Sequence, residues 1–122
     1  LILEHSANIV EKPDFEQLFS RMHWVLNELG AFKLADIKSR VYPCPIYYIA
    51  DGDSNHAFVH LRLEILEGRS ADIKHQAGER LLALLRETFP TSIKERSCQF
   101  SVEIRDMARD AYFKSVSYTH LT

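Results

Sequence analysis

Residues 57 to 89 carry two hydrophobic periods end to end, and any fold of this chain has to satisfy both. Ala57, Val59, Leu61, Leu63 and Ile65 alternate with Phe58, His60, Arg62 and Glu64, the period of two expected of a strand with one buried face. Glu67-Gly68-Arg69-Ser70 stops that strand. From Ser70 the spacing lengthens to three and four through Ile73, Ala77, Leu81, Leu84 and Leu85. That pattern predicts an amphipathic helix with Ser70 as its N-cap and Asp72 in its first turn. Arg69 stands at the junction, beside helix-start N–H groups that suit a carboxylate or phosphate. Taken alone, Gly-Arg-Ser is more often a solvated turn.

The rest of the chain repeats this alternation of periods. Leu1, Leu3 and His5 against Ile2 and Glu4 predict a short first strand ending near Asn8. Phe15, Leu18, Phe19, Met22, Val25, Leu26 and Leu29 then form one apolar stripe, with Pro13 in the first turn of the helix and Gly30 as its stop. His23 and Trp24 fall beside the stripe and read as packing or surface residues. A second strand is predicted from Leu34 to Val41, with Pro43 and Pro45 breaking its ladder or placing it at an edge. Ile46 to Ala50 reads as a resumed extended arm, and Asp51-Gly52 as a turn leading back to the central strand. Pro90 marks a break before Cys98, Phe100, Val102 and Ile104, which alternate with Gln99, Ser101, Glu103 and Arg105 as a last strand.

The order is strand, helix, strand, twice over, with the halves, 1–50 and 56–106, joined by a hairpin. Two such units predict an α+β fold: a four-stranded mixed sheet with both helices packed on one face. The other face, carrying His60, Arg62, Glu64, Gln99, Glu103 and Arg105, is left open, and open sheet edges favour oligomers.

At 122 residues the chain has room for one core, not two. A net charge of −2 without a long basic run argues against nucleic acid as a partner. The longest apolar runs, Ile46 to Ala50 and Leu81 to Leu85, are too short to span a bilayer. Cys44 and Cys98 lack metal-like spacing and read as reduced thiols of a cytoplasmic protein. No secretory signal is visible at the start of the sequence as given.

Few chemistries fit these residues. His56 and His60 share a strand face but lie roughly 13 Å apart, too far for one zinc ion. Asp51 and Asp53 hint at calcium, yet the loop lacks the remaining ligands and a closing glutamate. Neither a nucleophile elbow nor a glycine-rich phosphate loop is present. What remains is a set of cations near strand ends: Lys38, Arg40 and Arg69. Singly, each is more often a solvated charge. A pair of them would clamp a small dicarboxylate, arginine by a bidentate fork and lysine as a point charge.

The run Leu34-Ala35-Asp36-Ile37-Lys38-Ser39-Arg40-Val41, the turn Ala50-Asp51-Gly52, the strand Ala57-Phe58-Val59-His60, and the segments Gly68-Arg69-Ser70 and Gln76-Ala77-Gly78-Glu79 together resemble the 5-carboxymethyl-2-hydroxymuconate isomerase family of the tautomerase superfamily. The resemblance runs from Leu1 to about Lys114 and sets a single domain over 1–114, with 115–122 as a tail unlike the family's C-terminus. It implies a double β-α-β monomer, a homotrimer, and an isomerase without cofactor or metal that ketonises an unsaturated hydroxy-dicarboxylate or tricarboxylate in homoprotocatechuate degradation. It also implies a general base that is the amino group of an N-terminal proline, expected two residues ahead of Leu1. An α-amino group titrates near pH 8, and an apolar pocket or nearby cations lower that value toward working pH. Arg69 matches one of the family's substrate-binding arginines, and Lys38 occupies the position of the other, keeping the charge but losing the fork. The rival expectation is a non-catalytic ligand-binding or assembly module on the same fold.

Overall fold

Strands and helices follow one another in the order β1 (Ile2–Ser6), α1 (Phe15–Glu28), β2 (Arg40–Cys44), β3 (His56–Leu66), α2 (Ala71–Thr88), α3 (Pro90–Glu95) and β4 (Ser97–Met107) in a computed structural model that describes residues 1–117. Short 3-10 turns occupy Leu34–Asp36 and Arg109–Ala111. The four strands form one mixed sheet in the order β2-β1-β3-β4. β1 runs parallel to β2 and antiparallel to β3, and β3 runs parallel to β4. This is the expected mixed sheet.

β3 shows why the alternation was decisive: its eleven residues alternate between half-buried and buried without a break. Ala57, Val59, Leu61, Leu63 and Ile65 face the helices with Leu3, and Met22 and Leu26 of α1 and Leu81 and Leu85 of α2 close over them. Each such fully buried side chain contributes about 1.5–3 kcal/mol relative to exposure. The starts of α1 and α2 are capped as short-range chemistry dictates. Ser70 Oγ accepts from the Ile73 N–H at 3.2 Å, and Asp14 Oδ1 accepts from the Gln17 N–H at 3.1 Å. Gly30, at φ +78°, ends the first helical stretch as expected.

Four expectations need correction. The second strand begins at Arg40, not Leu34, because residues 34–37 close a local turn through Asp36 N–H to Lys33 oxygen and Ile37 N–H to Leu34 oxygen. The alternation there is one of residue type without burial, since Leu34, Ala35 and Asp36 are all exposed. Pro43 lies inside β2 at the sheet edge, the second of its two expected placements, but residues 46–50 are not a strand. The halves are not joined by a hairpin: β2 and β3 are separated by β1, so residues 45–55 carry the chain across the end of β1. Finally, Pro13 precedes the N-cap Asp14, and Pro90 does more than interrupt, since it opens a helix of its own at N1.

That third helix is held from far away. The Glu11 carboxylate accepts from the N–H groups of Thr91 and Ser92 and from the Ser92 hydroxyl, closing α3 against the segment that leads into α1. Residues 115–117 of the expected tail are exposed and without regular structure; its remainder, 118–122, lies outside the described residues.

Candidate active site

Mixed pairing puts the beginnings of β1 and β2 at the same edge of the sheet as the ends of β3 and β4. Ile2 stands between Arg40 on one side and Arg62 on the other. The β1–β2 ladder continues one rung further, with the Arg40 N–H donating to the Leu1 carbonyl at 3.0 Å and the Leu1 amine donating to the Lys38 carbonyl oxygen at 2.7 Å. Leu1 is itself buried. Burial first, then the Arg40 charge, holds its amino group below the usual α-amino range, with Arg62 and Lys38 adding to the effect and Glu64 opposing it. Burial among cations makes an amine at this end of β1 easier to deprotonate than a free one, the direction a general base needs.

The four cations of this edge differ in what already occupies them. Arg62 is tied to Glu64 at 3.0 Å and to Glu4 at 3.8 Å. Lys38 Nζ donates to the Asp36 carbonyl at 3.3 Å. Arg69 is the most committed: Nε and Nη2 donate to the Ala31 carbonyl at 3.2 and 3.0 Å, Nη1 donates to Leu66 at 3.0 Å, and the guanidinium lies 4.7 Å from the centre of the Phe32 ring. Three of its five N–H groups thus fasten the turn after α1 to the end of β3, leaving two for a ligand. Among the described residues, the Arg40 side chain makes neither a hydrogen bond nor an ion pair, and it is exposed.

The structure therefore brings Leu1, Lys38 and Arg40 together at the start of the β1–β2 pair. Among the described residues, no hydrogen bond or ion pair joins Lys38 to Arg69, which stands where β3 hands over to α2. Sequence reasoning missed one neighbour of the amine. His23 Nε2 lies 2.6 Å from Ser39 Oγ, and burial followed by the amine's charge keeps the imidazole below the usual histidine range. Its place beside an apolar stripe was visible, but its partner sixteen residues on was not. His56 and His60 are occupied separately, by Asp51 at 2.9 Å and by Ser101 at 2.6 Å with Glu103 at 3.5 Å.

A cavity of about 390 Å³ lies at the opposite end of the sheet, lined by Pro45, Tyr47, Tyr48, Gly52 and Asp53 among others. Among the described residues, no lysine or arginine lines it. The chemistry described above is at the other edge.

The whole domain has close counterparts. Residues 1–120 match the sequence profile of the family described as 5-carboxymethyl-2-hydroxymuconate isomerase. The chain is 37% identical over 113 residues to a 5-carboxymethyl-2-hydroxymuconate Delta-isomerase of Escherichia coli, covering 93% of this chain and 90% of that one. It superposes with a TM-score of 0.86 on the crystal structure of a 5-carboxymethyl-2-hydroxymuconate isomerase from Deinococcus radiodurans R1, at 30% identity, covering 95% of this chain and 87% of the other. A further crystal structure, of a 5-carboxymethyl-2-hydroxymuconate delta-isomerase, matches with a TM-score of 0.82 at 19% identity, covering 95% and 86% of the two chains; that likeness speaks for the fold. The fold is that of the tautomerase superfamily.

Proposed function

Because the chain belongs to the 5-carboxymethyl-2-hydroxymuconate isomerase family, we propose that the edge formed by Leu1, Lys38, Arg40 and Arg69 is where it ketonises its substrate. The chain is an isomerase of this kind. The observation that carries the site is the amino end of β1, where buried Leu1 is hydrogen-bonded to the Lys38 carbonyl and stands beside an Arg40 side chain that, among the described residues, makes no hydrogen bond or ion pair.

In this reading the base is the amino group of a proline two places ahead of Leu1. Continuing the β1 register by two residues, roughly 6.6 Å, brings that group level with buried Ile65 on β3 and half-buried Ile37 ahead of β2. Apolar neighbours on both sides keep an amine neutral. It takes the proton of the dienol hydroxyl and delivers one to carbon, a transfer worth on the order of 10²- to 10⁴-fold. Arg69 and Lys38 hold carboxylates, and Arg40 supplies the fork that Lys38 lacks. The substrate class is an unsaturated 2-hydroxy di- or tricarboxylate such as 5-carboxymethyl-2-hydroxymuconate, and the setting is cytoplasmic degradation of homoprotocatechuate.

The protein works as a homotrimer in this proposal. What supports it is the unpartnered sheet face, whose Glu4, His60, Arg62, Glu64, Glu103 and Arg105 pair among themselves, and an edge strand that leaves Tyr42 half exposed next to Ile46 at 93% exposure.

The decisive experiment is a ketonisation assay, followed by ultraviolet absorbance, on protein beginning with the proline. Arg69→Ala is expected to cut kcat/KM at least tenfold with the oligomer intact. An unchanged rate removes Arg69 from the site, and a wild-type protein that ketonises nothing in the substrate class removes the proposal.

A further inference from the structure

Beyond β4 the chain turns back across the sheet. The Met107 carbonyl accepts from the Glu67 N–H at 2.9 Å, so β4 finishes at the edge where β3 ends and β1 and β2 begin. The 3-10 turn Arg109–Ala111 follows, and Lys114 Nζ then meets Asp36 Oδ1 at 3.0 Å. Asp36 lies two residues ahead of Lys38, on the β2 side of the sheet. Three strand spacings separate β4 from β2, roughly 14 Å, a distance seven residues cover with ease. In the strand order β2-β1-β3-β4, a connection between those points passes the end of β3 and the start of β1. Residues 108–114 are a strap across the edge that holds the candidate site.

The strap brings a cation to that edge with its fork open. Arg109 Nε donates to the Glu67 carbonyl at 2.9 Å, and the guanidinium lies against Gly68, with Nη2 3.5 Å from where a Cβ on that glycine would stand. Adjacent carbonyls at the end of β3 thus fasten two guanidiniums, Leu66 that of Arg69 and Glu67 that of Arg109. Arg69 reaches toward Ala31 after α1, while Arg109 stays on the side of β4. Carboxylates near it in sequence leave it alone: among the described residues, neither Glu67 nor Asp110 forms an ion pair with Arg109, and Asp106 is engaged by Lys74 at 2.9 Å. Nor do Nη1 and Nη2 make a hydrogen bond among the described residues. Four N–H groups in a plane are therefore open to a carboxylate.

A tricarboxylate substrate needs three anchors, and the site as described has two: Arg69 for one carboxylate, Lys38 with Arg40 for another. Resting on the isomerase reading above, we propose that Arg109 binds the third, the carboxylate of the 5-carboxymethyl arm, and so sets a preference for tricarboxylates over dicarboxylates. The backbone contact through Nε aims the fork, and the Lys114–Asp36 pair keeps the strap that carries it across the edge.

The test compares protein beginning with the proline, as wild type, Arg109→Gln and Arg109→Lys, on 5-carboxymethyl-2-hydroxymuconate and on the same dienol without its carboxymethyl arm. For Arg109→Gln, kcat/KM on the tricarboxylate is expected to fall about tenfold, chiefly through KM, the scale of one charge-assisted hydrogen bond. The dicarboxylate loses much less. Arg109→Lys, which keeps the charge without the Nε contact to Glu67, recovers part of the tricarboxylate's loss. Equal losses on both substrates, no loss on either, or a lysine variant as poor as the glutamine one overturn the proposal. A second measurement needs no turnover: calorimetric titration with propane-1,2,3-tricarboxylate and with glutarate, which differ by one carboxylate. Wild type is expected to bind the first more tightly, and Arg109→Gln to narrow the gap; a gap left unchanged overturns the proposal even in an active enzyme. A gap that narrows in a protein whose wild type ketonises neither dienol upholds Arg109 as a carboxylate site and sinks the isomerase reading instead.

Discussion

The Lys38 carbonyl oxygen lies 2.7 Å from the Leu1 amine, so the backbone of the residue expected to hold substrate also holds the end of the strand expected to carry the base. That single contact couples the two halves of the chemistry. It comes from parallel pairing of β1 with β2, in which the residue level with Leu1 offers its flanking N–H and carbonyl to the same neighbour.

The depressed amine gives a signed pH prediction. A cationic group whose folded pKa lies below its unfolded value binds more protons in the unfolded chain, so stability rises with pH across the window between the two and is penalised below it. Burial is the first cause and Arg40 the second. In protein that begins at Leu1, carbon-13 NMR of the methyl-labelled Leu1 amine is expected to show titration below the free α-amino range near pH 8, with Arg40→Gln moving it upward. A midpoint that ignores Arg40→Gln contradicts the arrangement.

Arg69 answers two questions at once. Its guanidinium fastens Ala31 to Leu66, so Arg69→Ala is expected to destabilise the fold by about 1–3 kcal/mol, the cost of leaving partly buried carbonyls without a charged donor. Thermal unfolding measures this directly. A melting temperature equal to wild type means the three hydrogen bonds are idle in solution, and then the whole guanidinium is available to substrate.

Lys38→Arg restores a fork where the chain has a point charge. The backbone contact to Leu1 is unaffected by side-chain exchange, so the expected effect is on binding: KM for a dicarboxylate substrate falls by several-fold while kcat changes less. Steady-state kinetics with one dicarboxylate and one monocarboxylate substrate checks it. Equal changes for both would assign the effect to something other than carboxylate recognition.

The sheet face without helices makes the assembly testable. Tyr42 is half exposed on β2, on the same face as Glu4 and Arg62. Placing a like charge at that edge with Tyr42→Lys is expected to lower the mass found by sedimentation from trimer toward monomer. A variant that sediments as wild type moves the interface elsewhere.

Much of this was readable before any coordinates. β3 and β4, both long helices and the one-sided packing follow from periods of two and of three to four, because each is set by residues within a few positions of one another. The Leu34–Val41 run misled for the same reason: it alternates in residue type, but burial depends on which strand lies alongside, and among the described residues β2 is paired with β1 alone. Lys38 and Arg69 were legible as cations at strand ends. Their environments were not. The grip of Arg69 on Ala31 and the meeting of His23 with Ser39 join residues 38 and 16 positions apart, and no local period encodes them.

Glu11 shows the same principle at longer range and yields the clearest acid prediction. Its carboxylate accepts from Thr91 and Ser92, some eighty residues away, and so closes the start of α3. Burial alone pushes its pKa up, but the Ser92 hydroxyl and the N–H groups of Ser92 and Thr91 outweigh that and hold it below the usual glutamate range. For an acid with a depressed folded pKa, the stabilisation is fully present above the unfolded value and is lost as pH falls through the folded one. Glu11→Gln keeps the shape and removes the charge, so it is expected to lower the melting temperature at pH 7, with a difference that shrinks as pH drops below about 4. Charge-assisted hydrogen bonds to a carboxylate are worth about 1.5–3 kcal/mol each where buried, and less at this partly exposed site. A gap between wild type and Glu11→Gln that is constant from pH 7 to pH 3 would mean the carboxylate's charge contributes nothing there, and that α3 is held by the packing of Phe89 and the burial of Ser92 alone.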